Sequence, residues 1–292
     1  MIDAVKAEAS HIPIGFLCRH LGVSRSSYYN WKAGTMPARF VRKEEICKAI
    51  KKIFKASDKT YGSPRMYREL REQGYHISEN TVAKYMAELG LDARLRKRFR
   101  VQTTDSNHNH PIADRLLKVE DHHTLPKAPG EVLAGDITYI RLGGGFVYLA
   151  VVLDLFSREV VGWSMRRSLH TPLVLEALSS AMARVGPDAE VIFHSDRGSQ
   201  YASDAYRKFC KSKGVLPSMS RRGNCYDNSY VESWFSSLKK ERLYRVKYGS
   251  EKELRAIVFE YIEVWYNRKR RHSALDYRSP QSFRESHTTA AR

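Results

Sequence analysis

The sequence predicts an α/β fold, a mixed sheet flanked by helices and preceded by small all-α modules. Three observations predict it. Residues 132–164 hold three β-branched and aromatic runs separated by Gly or Ser-Arg turns, the pattern of strands joined as hairpins. Beyond Thr171, amphipathic helical stripes alternate with short apolar runs. Residues 1–92 carry helical stripes alone.

At the N-terminal end, Pro13 opens a helix bearing Ile14, Leu17 and Cys18, Leu21-Gly22-Val23 forms a tight turn, and Ser24 caps a second helix bearing Tyr28 and Trp31. This is helix-turn-helix spacing. It puts Arg25, Ser26 and Ser27 at the helix start, where base edges and phosphates are reached; a helical hairpin used only for packing has the same signature. A second helical unit follows over 41–92. Ile46, Ala49, Ile50 and Ile53 form one stripe, Ser63-Pro64 reads as an N-cap with an N1 proline, and Ser78 caps a helix with Val82, Tyr85, Met86 and Leu89, closed by Gly90. Five cations then fall within seven residues: Arg94, Arg96, Lys97, Arg98 and Arg100. They read as an arm that tracks phosphates, with a solvated linker as the alternative. A polar stretch with little periodicity runs on to about Gly130.

Strands are expected over 132–140, 145–154 and 159–164, then a helix opened by Thr171-Pro172 with Val174, Ala177, Leu178 and Ala181 on one face. A strand over 190–194, a helix over 203–214, a strand near 216–219 and a helix starting near Asn228 complete the alternation. A last helix over 251–266 carries Leu254, Ile257, Val258, Tyr261 and Trp265, followed by the basic cluster Arg268, Lys269, Arg270 and Arg271, of which Arg268, Arg270 and Arg271 are expected to contact nucleic acid. The expected division is 1-38 and 39-92 as helical modules, 93-127 as a basic linker, 128-245 as the α/β core, and 246-292 as a terminal helix and basic tail.

Composition narrows the function. Lys and Arg number 50 against 32 Asp and Glu, a formal charge of +18, so a polyanion is the first partner to expect and nucleic acid the first polyanion. The longest apolar run, 146–156, is broken by Asp154 and falls far short of the ~20 residues that span a bilayer, so no membrane role is expected. The N-terminus, with Asp3 and Glu8, does not resemble a signal peptide. Four scattered cysteines without a C-x-x-C pair suit reduced thiols in the cytoplasm.

Three acids have settings that suggest chemistry. Asp136 interrupts an otherwise apolar strand, where an unpaired carboxylate is costly to bury. Asp196 follows the strand Val191-Ile192-Phe193-His194 at a Gly-containing turn, and Glu232 lies beside the apolar stripe Val231, Trp234, Phe235 and Leu238, with Ser236 and Lys239 along its own face. Each has a structural alternative: a buried Arg partner for Asp136, turn stabilisation for Asp196, an exposed helix position for Glu232. Asp154 and Glu241 are less well placed, at a strand end and in a Lys-rich surface turn. Together the three offer oxygen ligands only, the set that suits Mg²⁺ or Mn²⁺. Two such ions about 3.5 to 4 Å apart support in-line phosphoryl displacement.

The stretches GDITYI, HSDRGSQY, RRGNCYDNSYVESWFSSLKKE and YNRKRRHSALDYRSP resemble the OrfB transposases of bacterial insertion sequences, family three, relatives of retroviral integrases with an RNase H-like core. Thirty-five residues separate Asp196 from Glu232, the interval of the D, D, 35, E class, and Lys239 follows the glutamate by seven positions. The resemblance covers nearly the whole chain from LCRHLGVSRSSYYNW onward. It implies that Asp136, Asp196 and Glu232 are the catalytic, metal-binding triad for a pair of Mg²⁺ or Mn²⁺ ions and that Lys239 contacts the transposon-end DNA. It further implies cleavage at terminal inverted repeats, then attack of the freed 3′-hydroxyl on the other end and, after a circular intermediate, on target DNA. A homo-oligomer of at least two copies on double-stranded DNA, fusion or association with an upstream OrfA, and a cytoplasmic, nucleoid-associated location in a bacterium belong to the same reading. One departure is visible: His108, His110, His122 and His123 cluster without the paired cysteines of a retroviral zinc module. Two other functions fit parts of the sequence, an RNase H-type metal nuclease acting on hybrids and a catalytically silent DNA-binding repressor.

Overall fold

Three consecutive runs rich in Val, Leu and aromatic residues form the strands β1 (Val132–Leu142), β2 (Gly145–Asp154) and β3 (Val160–Arg166). Hairpin turns make them antiparallel neighbours. Helical crossovers then return β4 (Val191–Ser195) and β5 (Val215–Met219) as parallel strands on the far side of β1, giving the order β3-β2-β1-β4-β5. This computed structural model describes residues 1–34, 37–93, 111–117, 125–186, 190–221 and 228–289. The chain divides into two units, Met1–Ala93 and Arg94–Arg292.

In the second unit the sheet is covered on both faces, as parallel strands require. One face packs Leu133, Ala150 and Val152 against α7 (Thr171–Val185) and α9 (Asp204–Ser212), with the short α8 (Ser199–Ala202) before it. The other packs Ala134, Ile140, Leu149 and Val151 against α10 (Ser229–Leu238) and α11 (Glu251–Phe259). Because strand side chains alternate, Asp136 and Thr138 share the face of Ala134 and Ile140, the α10 side.

In the first unit α1 (Ile2–Glu8), α2 (Ile14–His20) and α3 (Arg25–Lys32) enclose Ile2, Leu17, Cys18 and Tyr28. Ser24 caps α3 as expected, its hydroxyl accepting from the Ser27 amide at 3.0 Å. The helices α4 (Ala38–Ala56), α5 (Ser63–Glu72) and α6 (Glu79–Glu88) pack together and bury Ile46, Ile50, Met66, Leu70, Val82 and Met86.

Several expectations need correction. Gly62, not Ser63, is the N-cap of α5; Ser63 already lies in the helix, ahead of the first-turn proline. The helix expected over 203–214 is α9, with Ser203 extended as its N-cap and accepting from the Tyr206 amide at 3.2 Å, while the short α8 ahead of it was not expected. The last long helix changes register, α11 giving way to a π-helical turn over Glu260–Tyr266. A wider turn inserts one residue into the stripe, so Tyr266 rather than the expected Trp265 is buried with Tyr261 and Ile262. The helices α1 and α12 (Pro280–Thr289) were not anticipated.

Candidate active site

The site begins in the parallel pairing of β1 with β4. Val132 pairs with Ile192, Leu133 with Phe193 and Ala134 with His194, a constant offset of 60 positions. Carried two residues further, that offset brings Asp136 level with Asp196, just where β4 has ended at Ser195. Two central strands therefore deliver one carboxylate each to the same height beyond the sheet's parallel ladder.

Gly135 makes this possible. A Cβ there would lie 2.3 Å from Cζ of Phe193, so the ring closes over the strand on the face opposite Asp136 and leaves room for hydrogen alone. Asp136 accepts from the Ile137 amide through Oδ1 at 2.8 Å. Asp196 organises the next turn, its Oδ1 accepting from the Gly198 amide at 3.0 Å, while Arg197 Nε donates to the Ser220 carbonyl at 2.7 Å. Gly198 is also sterically constrained, since an added Cβ would sit 3.1 Å from that Oδ1.

Glu232 comes from α10, whose Val231, Trp234, Phe235 and Leu238 are buried against the sheet. Trp234 is wedged against Tyr261 and Tyr266 at ring distances of 6.2 and 5.8 Å, which fixes the helix's rotation. Glu232 is half-buried beside that stripe. At Lys239 the helix passes into a π-helical turn, Lys239–Leu243, a feature that recurs at functional sites. Lys239 Nζ donates to Thr138 Oγ1 at 2.6 Å and stands 5.2 Å from the centroid of the Tyr139 ring.

The electrostatics show that these side chains share one field. Asp136 has its pKa raised well above the ordinary carboxylate value, first by burial and then by repulsion from Asp196 and Glu232, with the Ile137 amide and the Lys239 ammonium opposing. Burial lowers the pKa of Lys239, against the attraction of Asp136. Beneath the acids lies Tyr201 of α8, buried against Phe193 and Tyr206, its phenol held neutral by burial and by Asp136 and Asp196.

The donor set fits a hard divalent ion: carboxylate oxygens that raise one another's cost of ionisation at Asp136. Among the described residues no three His, Cys, Asp or Glu side chains form a group that could hold a metal as they stand. Mg²⁺ does not require one, being held by one or two carboxylates with water and substrate phosphate completing its shell.

Other expected contacts fare differently. Arg25, Ser26 and Ser27 are exposed at the start of α3, although the Ser27 hydroxyl is engaged by Ser24 at 2.7 Å. Arg268 is exposed, and Arg271 is half-buried, donating through Nη1 to the Tyr277 carbonyl at 3.1 Å. Arg270 is a correction. It is 5% exposed and locked to Glu241, itself 3% exposed, so it offers nothing to DNA, and Glu241 is no surface residue. Arg94, Arg96, Lys97, Arg98 and Arg100, and the four clustered histidines, lie outside the described residues. Thr138, Tyr139 and Tyr201 fall inside the GDITYI and HSDRGSQY stretches, where no spacing rule singles them out.

A five-stranded mixed sheet in this order, carrying one acid within β1 and another just past the end of the adjacent β4 and following a helical unit, defines an integrase-type, RNase H-like core. Family models agree: residues 126–225 and 213–280 each match an integrase core domain, and 42–99 match an HTH-like domain. The chain is 38% identical over 281 residues, 96% of each protein, to the transposase InsF for insertion sequence IS3A of Escherichia coli (strain K12). It is 39% identical over 271 residues, 93% of this chain and 98% of the relative, to the insertion element IS600 uncharacterized 31 kDa protein of Shigella sonnei. The chain belongs to the transposases of IS3 family insertion sequences. Among solved structures, a chain of the simian T-cell lymphotropic virus intasome, in complex with PP2A regulatory subunit B56 gamma, matches over 80% of this chain and 74% of its own, with TM-score 0.46 and 15% identity. The HTLV-2 integrase catalytic core domain in complex with magnesium matches over 54% of this chain and 98% of its own, with TM-score 0.43 and 15% identity.

Proposed function

We propose that this transposase cuts and joins the ends of its insertion sequence by divalent-metal-dependent hydrolysis and transesterification of phosphodiesters. The observation that carries this reading is the level placement of Asp136, within β1, and Asp196, just past the end of β4, with Glu232 and Lys239 in the same field. Asp136, Asp196 and Glu232 would hold a pair of Mg²⁺ or Mn²⁺ ions, which when bound supply activation of a water or 3′-hydroxyl and stabilisation of the leaving oxygen. The protein's own part is placement. Two paired strands and a packed helix fix the carboxylates before DNA arrives, so little reorganisation is left for the reaction. Lys239 adds a cation beside Asp136 that an incoming phosphate could meet.

The same proposal assigns residues 1-38 and 39-92 to DNA-binding modules, with Arg25, Ser26 and Ser27 at the first recognition helix, and 93-127 to a basic linker. It takes 128-245 as the catalytic core and 246-292 as a terminal helix packed back on that core with a basic tail. Arg268 and Arg271 remain its C-terminal phosphate contacts. Partners are the terminal inverted repeats and target DNA, at least one further copy of this chain, and an OrfA product, in the bacterial cytoplasm at the nucleoid. No helix among the described residues is long and apolar enough to cross a membrane.

The test is incubation with labelled duplex from the flanks of its own coding sequence, with and without Mg²⁺. Nicked and joined strands are expected, and Asp136→Asn, Asp196→Asn and Glu232→Gln each abolish both while duplex binding stays within about twofold. Hybrid cleavage without joining would instead indicate an RNase H-type nuclease, and specific binding with no product a silent repressor.

A further inference from the structure

We infer that Thr138 is a positioning residue: its hydroxyl holds the Lys239 ammonium over the carboxylate face of β1, where that ammonium and an incoming divalent ion compete for Asp136. Three observations carry this. Thr138 is buried in a strand whose neighbours are Ile137, Tyr139 and Ile140, a position that Val would fill as well by shape. A buried hydroxyl has to be hydrogen-bonded, and this one accepts from a cation, Lys239 Nζ, at 2.6 Å. Thr138 also lies two residues from Asp136 on the same strand face, so what it holds is held beside that carboxylate.

The far end of the side chain is constrained as well. Lys239 stands at the junction of α10 and the π-helical turn, and its ammonium faces the Tyr139 ring at 5.2 Å. One strand thus supplies a seat for a cation at 138 and an anion at 136. A monovalent charge so placed weakens the binding of a divalent one through plain Coulomb repulsion, and it leaves the carboxylates partly neutralised until the metal enters.

The inference rests on the reading that Asp136, Asp196 and Glu232 bind divalent metal, and the experiment separates the two. Mn²⁺ is titrated into the full chain without DNA and followed by its paramagnetic resonance. Lys239→Ala and Thr138→Val should each tighten Mn²⁺ binding, by about three- to tenfold at low salt. Thr138→Ser, which keeps the hydroxyl, should match the wild type, and Thr138→Val with Lys239→Ala should bind no tighter than Lys239→Ala alone. A Thr138→Val protein whose Mn²⁺ affinity is unchanged or weaker, or a double variant whose effects multiply, overturns the positioning role. If Asp136→Asn leaves Mn²⁺ binding intact, the metal reading fails and this inference falls with it.

Discussion

Arg270 grips Glu241 with both arms of its guanidinium, Nε to Oε2 at 2.8 Å and Nη2 to Oε1 at 2.6 Å, in the interior of the second unit. Tyr261 donates to the same carboxylate at 3.0 Å. The pair ties the segment after α11 to the π-helical turn that begins at Lys239, so the C-terminal part of the chain holds the helix that carries Glu232. Three positions earlier Asn267 also faces inward, its amide exchanging hydrogen bonds of 3.0 Å with both the N–H and the carbonyl of Val160 on β3.

Arg270→Met should therefore destabilise the protein by about 3 to 5 kcal/mol, because it strands a buried carboxylate. Urea denaturation measures the loss. Pairing it with Glu241→Leu should restore most of the stability, since an apolar pair of similar volume replaces a desolvated ionic one. A single variant within about 1 kcal/mol of wild type would show that the pair does not hold the segment.

The burial of Arg270 marks the boundary of what the sequence could reveal. The strands, their hairpins and the local settings of Asp136 and Asp196 were legible because alternation and turn residues act over a few positions. Arg270 sits in a run of four cations, and nothing nearby distinguishes it from Arg268; its partner lies 29 residues away and is surrounded by Lys and Arg. The two π-helical turns were invisible for a related reason. Periodicity assumes 3.6 residues per turn, and the slip that buries Tyr266 in place of Trp265 is set by packing against Trp234, a tertiary fact. The meeting of Asp136 with Asp196 required the parallel register, while Glu232 and Lys239 were brought in by the rotation of α10.

Gly135→Ala places a methyl group where Phe193 already stands, 2.3 Å from Cζ. The ring has to move or β1 has to shift, and overpacking of this kind costs about 1 to 3 kcal/mol. Because Asp136 is the next residue, end-cleavage activity should fall more steeply than stability. Combining Gly135→Ala with Phe193→Leu should relieve part of the strain; full activity in the single variant would mean that β1 and Phe193 accommodate the methyl group without moving Asp136.

Cys210 is buried on α9, and burial pushes its thiol up to about 11. At pH 8 only roughly one thiol in a thousand is then ionised, and the thiolate is the reactive form. Iodoacetamide should leave the Cys210 peptide unmodified in the native protein and label it fully in urea, as read by mass spectrometry. Rapid native labelling would place this face of the sheet in contact with solvent.

Asp136 yields a prediction whose sign is opposite to that of an ion-paired carboxylate. Its folded pKa is raised by burial and by the neighbouring acids, so the folded state binds a proton more tightly than the unfolded chain does. Stability therefore falls as pH rises from the unfolded value, about 3.9, through the raised folded one. Asp136→Asn removes that penalty. In metal-free buffer at pH 7 the variant should melt at a higher temperature than wild type, and the gain should shrink as pH is lowered toward 4. Millimolar Mg²⁺ should narrow or reverse the difference, because binding to the folded state stabilises the wild type while the variant has lost a ligand. A variant that melts below wild type at pH 7 in EDTA would show that the carboxylate is not held against its neighbours.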